Sequence, residues 1–234
     1  MDDKTVRERN YPVIKSNAII QKSRYDLSMQ EQKVILYLVS KIREEDDDFH
    51  EYEFELKELC AIFGIIKCSK NYLNFYNSIQ VLRNKSFWVK LPDKKSLCSW
   101  IEKAEVHDNG IVTIRLDATL KPYLLQLKKE YTTYELSNVL PMSSTYSIRL
   151  YELLRSYAYK SEFEVGLAEL KEMLCVSTDY AIYNNFKVRV IDIALFEINK
   201  YTDLQVSFKP VRTVRKITGL HFTIAINSKI NDKK

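Results

Sequence analysis

The chain has 234 residues, of which 29% are charged and 46% hydrophobic, and carries a net charge of +5; this is the composition of a globular protein, not of a disordered or fibrous one. The polar start MDDKTVRERN has no signal-peptide core, and no apolar run approaches the ~20 residues that span a bilayer, so a cytoplasmic protein without a membrane partner is expected. Cysteines at 60, 68, 98 and 175 form no C-x-x-C pair, which argues against zinc and for free thiols in a reducing compartment.

In chain order, a first helix is predicted over 27–42. Ser28 and Glu31 make a capping box there, and Val34, Ile35, Leu38 and Ile42 supply a buried face. The acidic run 44–48 reads as a solvated loop. Residues 51–56 alternate as a short strand, 56–65 form a helix closed by Gly64, and a third helix covers about 70–83. Strands are predicted at 86–91, 97–106 and 111–116, the last two joined by the turn Asp108-Asn109-Gly110. Asp117 then caps a helix over 120–129, with Pro122 tolerated in its first turn. The second half runs in the same order: helix 143–160, strand 162–165, helix 167–176, helix 183–199, and strands 204–210 and 217–226 around a tip at 211–216.

That order reflects a repeat. A shift of 111 residues lays 51–75 on 162–186 with eight identities in 25 positions, where unrelated sequences share roughly one or two. Among them are Leu59/Leu170, Tyr72/Tyr183, Asn74/Asn185 and Phe75/Phe186. A short strand, two helices and a hairpin make a winged helix, a helix-turn-helix with a β-hairpin wing. The expected fold is therefore α+β, a tandem duplication of a winged-helix domain, divided here into 1–132 and 133–234.

The helix at 183–199 carries the functional signal. At 100° per residue, Tyr183, Phe186, Val190, Ile191, Ala194 and Ile198 share a core-facing arc. Asn185, Val188, Arg189, Asp192 and Phe196 lie opposite, Asn184 sits at the boundary, and Lys187 stands beside the core arc. In a winged helix this element leads into the major groove with its N-terminal turns. Asn side chains pair bidentately with adenine and Arg with guanine, while a helix N-terminus offers N–H groups to phosphate. Arg212, Arg215 and Lys216 at the hairpin tip are placed to reach phosphate beside the groove. Residues 180–234 hold 10 Lys and Arg against 4 Asp and Glu, so the basic excess sits where duplex DNA would be gripped. In the first copy the corresponding surface is Lys70, Asn71, Asn74, Asn77 and Ser78, polar but weakly charged. Asp192 counts against phosphate and reads as an acceptor for cytosine or a partner for Arg189. Arg149 reads as one half of a partly buried ion pair holding its helix.

Catalytic chemistry finds no support. His50, His107 and His221 are isolated, no G-x-x-x-x-G-K-[ST] occurs, and Gly64, Gly110, Gly166 and Gly219 are scattered at predicted turns. Neither a Ser-His-Asp nor a Cys-His set is apparent, and contiguous carboxylates at 44–48 suit solvent better than a metal. A non-enzyme without cofactor or metal is expected.

The segments 13–20, 27–36, 147–154 (SIRLYELL), 186–199 (FKVRVIDIALFEIN), 202–208 and 216–224 resemble, in that order, the two-winged-helix replication initiators of iteron-bearing, theta-replicating plasmids. The resemblance covers about residues 11–226. It implies a bacterial, plasmid-associated protein that binds duplex DNA at direct origin repeats as a monomer, helps melt an adjacent AT-rich segment, and recruits the host initiator and the replicative helicase. It also implies dimers formed through the N-terminal domain, which repress the initiator's own gene or stay inactive for initiation. By the same resemblance Asn184, Asn185, Lys187 and Arg189 are the main DNA contacts, with Lys70, Asn71 and Asn74 as a secondary set. The alternative is a plasmid or phage transcription repressor without initiator activity.

Overall fold

The computed structural model describes residues 7–64, 69–176 and 180–227, with only the backbone described for 69–72. The chain divides into two compact units, one of residues 1–19 with 27–141 and one of 20–26 with 142–234.

In the first unit, strand β1 (Pro12–Ser16) pairs antiparallel with β7 (Tyr131–Glu135). This pairing keeps the chain up to Pro141 with the first unit, where the sequence suggested a break at 132. Helix α1 (Met29–Val39) opens with the expected capping box: Ser28 Oγ accepts from the Glu31 N–H and the Glu31 carboxylate accepts from the Ser28 N–H. Then come β2 (Tyr52–Glu55), α2 (Leu56–Phe63) and α3 (Ser69–Asn84). Gly64 ends α2 in the left-handed conformation at φ 69°, which glycine adopts without steric cost. Tyr37 meets Phe54 and Phe63 edge to face at 5.6 and 6.2 Å, and Phe54 meets Phe75 the same way at 6.4 Å. These rings pin α1, β2, α2 and α3 to one core.

The strand predicted over 97–106 is two strands. A hairpin of β3 (Ser86–Lys90) and β4 (Lys95–Ser99) is followed by β5 (Ile101–Val106), which pairs instead with β6 (Ile111–Leu116). The break falls at Trp100, whose indole is buried and stacked on Phe87 at 4.4 Å. Burying so large a ring outweighs continuing the strand. The helix predicted to run to 129 is also shorter: α4 covers Lys121–Leu124, Leu125 is extended, and Gln126 takes a positive φ.

The second unit is built from α5 (Thr145–Tyr157), β8 (Glu162–Gly166), α6 (Leu167–Met173), a long helix α7 over 183–201, and a hairpin of β9 (Leu204–Thr213) and β10 (Lys216–Ile226). No side chain of its own N-cap closes the start of α5. Glu197 of α7 does that work, its carboxylate accepting from the N–H groups of Ser143 and Ser144 and from the Ser143 hydroxyl. Burial pushes the Glu197 carboxyl up, but these donors outweigh burial and hold it below the usual carboxylate range. The segment 20–26 is anchored by Arg149, which is buried. Its guanidinium donates to the Tyr25 hydroxyl and the Ile20 carbonyl, lies 3.4 Å from Glu152, and stacks on the Tyr25 ring at 4.1 Å. Arg149 is thus half of a buried ion pair, tied to this N-terminal segment.

The two units share one topology. In the wing sheet of each unit the short first strand pairs with the second hairpin strand, which pairs with the first: β2–β6–β5 and β8–β10–β9. The repeated identities sort accordingly. Leu59 and Leu170, and Phe75 and Phe186, are buried, whereas Asn74 and Asn185 face solvent. Gly219 departs from the expected turn position. It lies within β10, where a Cβ would stand 2.7 Å from the Val165 carbonyl oxygen, so no other residue allows β10 this close to β8.

Candidate nucleic-acid interface

Helix α7 begins at Tyr183 with Ile182 at its N-cap and no side chain capping it. Lys171 of α6 steadies the approach, donating through Nζ to the carbonyls of Tyr180 at 2.6 Å and Ala181 at 3.2 Å and lying 5.1 Å above the Phe186 ring. The sequence offered no sign of this role, since Lys171 reads as an ordinary solvated lysine. Phe186, Val190, Ile191, Ala194 and Ile198 are buried as the wheel predicts, and Tyr183 is half-buried.

The helix is not α-helical throughout. Residues Lys187–Ile191 form a π turn between α-helical Tyr183–Phe186 and Asp192–Tyr201. Asp192 and Ile193 are both partly exposed, and the Asp192 carboxylate holds Lys187 Nζ at 2.6 Å. Lys187 therefore stands half-exposed, with its ammonium also 5.9 Å from the Phe208 ring of the wing. The expected pairing of Asp192 with Arg189 gives way to this contact. Asn184, Asn185, Val188 and Arg189 all face solvent, and Arg189 has no ion pair with a described residue.

The wing is longer than predicted. Strands β9 and β10 run to Thr213 and Lys216 and leave a two-residue tip, Val214 and Arg215. A bulge beside Val211 and Arg212 twists the end of the hairpin. Beyond Gly219 the hairpin no longer pairs with β8, so its last residues project from the sheet. Arg212, Arg215 and Lys216 are exposed there, and none has an ion pair with a described residue. Val214, 93% exposed, sits at φ 58°, a conformation that β-branched residues avoid. The Arg212 charge is felt by the Tyr183 hydroxyl, whose pKa is raised by burial against the lowering influence of Lys187 and Arg212. Through the contact of Lys187 with Phe208 the wing and the start of α7 form one neighbourhood.

In the first unit the matching surface is different. Asn74 and Asn77 are exposed on α3. Ser78 leaves the outward set: it is buried, and its hydroxyl donates to the Asn74 carbonyl at 2.9 Å. Four residues apart, it bonds back along its own helix. The side chains of Lys70 and Asn71 lie outside the described residues. The hairpin β5–β6 carries Glu102, Lys103, Glu105, Asp108 and Arg115, nearly balanced in charge, where the hairpin of the second unit carries Lys209, Arg212, Arg215 and Lys216 and no carboxylate. No group of residues able to hold a metal ion occurs among the described residues. Cys60, Cys98 and Cys175 are free thiols, and burial pushes those of Cys98 and Cys175 up. No described helix is long and apolar enough to cross a membrane.

Known proteins match in two successive stretches of the chain. Residues 12–155 match the family described as Initiator Replication protein, WH1, and residues 166–224 match Initiator Rep protein, WH2. The chain is 30% identical over 150 residues to the PI protein of Escherichia coli, covering 56% of this chain and 48% of that protein. It is 24% identical over 194 residues to a Replication initiation protein of Escherichia coli, covering 78% of this chain and 60% of the other. The matched stretches therefore span about half to three fifths of these relatives. Crystal structures of domains 2 and 3 of RctB give TM-scores of 0.52 at 10% and 11% identity, one covering 87% of this chain and 85% of its own, the other 88% and 84%. That likeness is one of fold alone. With two winged-helix units arranged as described and family matches running from residue 12 to residue 224, the chain belongs to the family of plasmid replication initiators built from two winged-helix domains.

Proposed function

We propose that this initiator recognises duplex direct repeats at its origin through α7 and the wing of the second unit, and that binding prepares the origin for melting and helicase loading. The observation that carries the reading is the pairing of an outward face of Asn184, Asn185 and Arg189 with a projecting wing whose Arg212, Arg215 and Lys216 have no ion pair with described residues. Amide and guanidinium groups are the side chains that discriminate bases in the major groove, and uncommitted cations are what the backbone requires. Asn74 and Asn77 of the first unit make a secondary contact, the weaker because the wing of that unit has no excess of cations. Self-association through the first unit, contact with the host initiator and helicase, and autorepression belong to the same proposal, supported by the resemblance to plasmid replication initiators.

The test is selection of bound sequences from a random duplex library at two salt concentrations, with the oligomeric state followed by light scattering. A long non-palindromic motif bound by a monomer supports repeat recognition. A short palindrome bound by a dimer supports a repressor. No enriched motif at either salt refutes sequence-specific readout.

A further inference from the structure

Val188 has no part in the hydrogen-bonding scheme above, yet it stands in the middle of it. It is 50% exposed, four residues after Asn184, three after Asn185 and adjacent to Arg189, on the face that carries all three. A β-branched residue is a poor choice for an exposed helix position, because it loses rotamer freedom and leaves apolar surface in water. The neighbouring core positions Phe186, Val190 and Ile191 are already filled by buried side chains, so Val188 is not displaced from the interior.

We propose that Val188 is a specificity residue that reads thymine through its 5-methyl group. The inference rests on the reading that α7 enters the major groove. Among the groups that base pairs present there, the thymine methyl is the only apolar one, and an apolar side chain is its complement. Asn184 and Asn185 suit adenine, whose pairing partner is thymine, so a methyl group stands in the same base pair or the next step, within one helical turn of the amides. Val188 would then reject cytosine at that position and enforce A·T where the amides alone tolerate alternatives.

The experiment takes the full-length protein and the duplex obtained by selection, and replaces each thymine in turn by deoxyuridine, which lacks only the methyl group. The wild-type protein should lose about threefold to fivefold in affinity at one or two positions, the effect of unburying one methyl group. Val188→Ala should bind the thymine duplex more weakly by a similar factor and be indifferent to the replacement. Val188→Thr, which keeps the branched shape and one methyl, should be intermediate, and equal melting temperatures of all three proteins exclude a folding effect. A wild-type protein indifferent to deoxyuridine at every position, or a Val188→Ala variant with the wild-type discrimination, overturns the proposal while leaving DNA recognition intact. A protein that selects no sequence overturns the recognition by α7 on which it rests, and this inference with it.

Discussion

If α7 enters the major groove as proposed, the ion pair between Lys187 and Asp192 should set a measurable limit on how strongly the second unit holds DNA. Both side chains are only partly buried and the contact is 2.6 Å long, so the pair contributes at most about 1 kcal/mol to stability. Asp192→Ala should therefore fold normally. It removes a carboxylate beside the reading face and frees an ammonium within the first two turns of α7, from where a lysine stem can reach phosphate. Each phosphate newly neutralised steepens the dependence of log K on log salt by about 0.9. The variant should bind more tightly at low salt, and its advantage should shrink about threefold to fourfold between 50 and 200 mM salt. Fluorescence anisotropy on the selected duplex and on a random duplex, over a salt series, measures both slopes. A gain on both duplexes is expected, because phosphate carries no sequence. An unchanged slope would refute the idea that Asp192 restrains Lys187. A loss confined to the selected duplex would show that Asp192 reads a base itself.

Arg189→Ala should weaken specific binding by about 1–3 kcal/mol and relax preference at one base pair; equal loss on random DNA would make Arg189 a phosphate contact. Glu197→Gln tests the cap of α5. Because hydrogen bonding outweighs burial and lowers the folded-state pKa of Glu197, its stabilisation is complete above the ordinary carboxylate range and is lost as pH falls through that lowered value. Urea titrations of wild type and variant should diverge at neutral pH and converge in acid, and a gap that persists at low pH would count against the cap. Val214→Asn should raise stability by about 1 kcal/mol, since asparagine accepts the positive φ that valine resists; no gain in thermal denaturation would mean that the tip relaxes in solution.

Features set by local chemistry were legible from residue order alone. The capping box of Ser28 and Glu31, the closing glycine at 64 and the core stripe of α7 each depend on neighbours within one or two turns. The duplication was legible because its identities fall on buried positions such as Phe75 and Phe186 and on outward ones such as Asn74 and Asn185. What failed depended on distant packing. Trp100 breaks a strand to stack on Phe87, and no local propensity announces that. A wheel drawn at a fixed angle cannot anticipate the π turn at Lys187–Ile191 or the pairing of Asp192 with Lys187. Of the candidate contacts, Asn184, Asn185, Arg189, Arg212, Arg215 and Lys216 are exposed, whereas Ser78 is spent on its own helix. Lys171 was missed because holding two loop carbonyls leaves no mark in a pattern of charges.

The buried anchorage of residues 20–26 also bears on how the protein is made. Tyr25 leaves the ribosome 124 residues before Arg149, the group it receives, so the second unit cannot be completed until more than half of the chain exists. The first unit is likewise interrupted by a stretch that belongs elsewhere. The halves are consequently not modular in the way their repeated topology suggests: a C-terminal fragment starting at Met142 carries α7 but lacks Tyr25 and the Ile20 carbonyl, and leaves the buried Arg149 guanidinium without two of the groups that receive it. Exchange of such a half between related initiators would have to carry seven N-terminal residues with it.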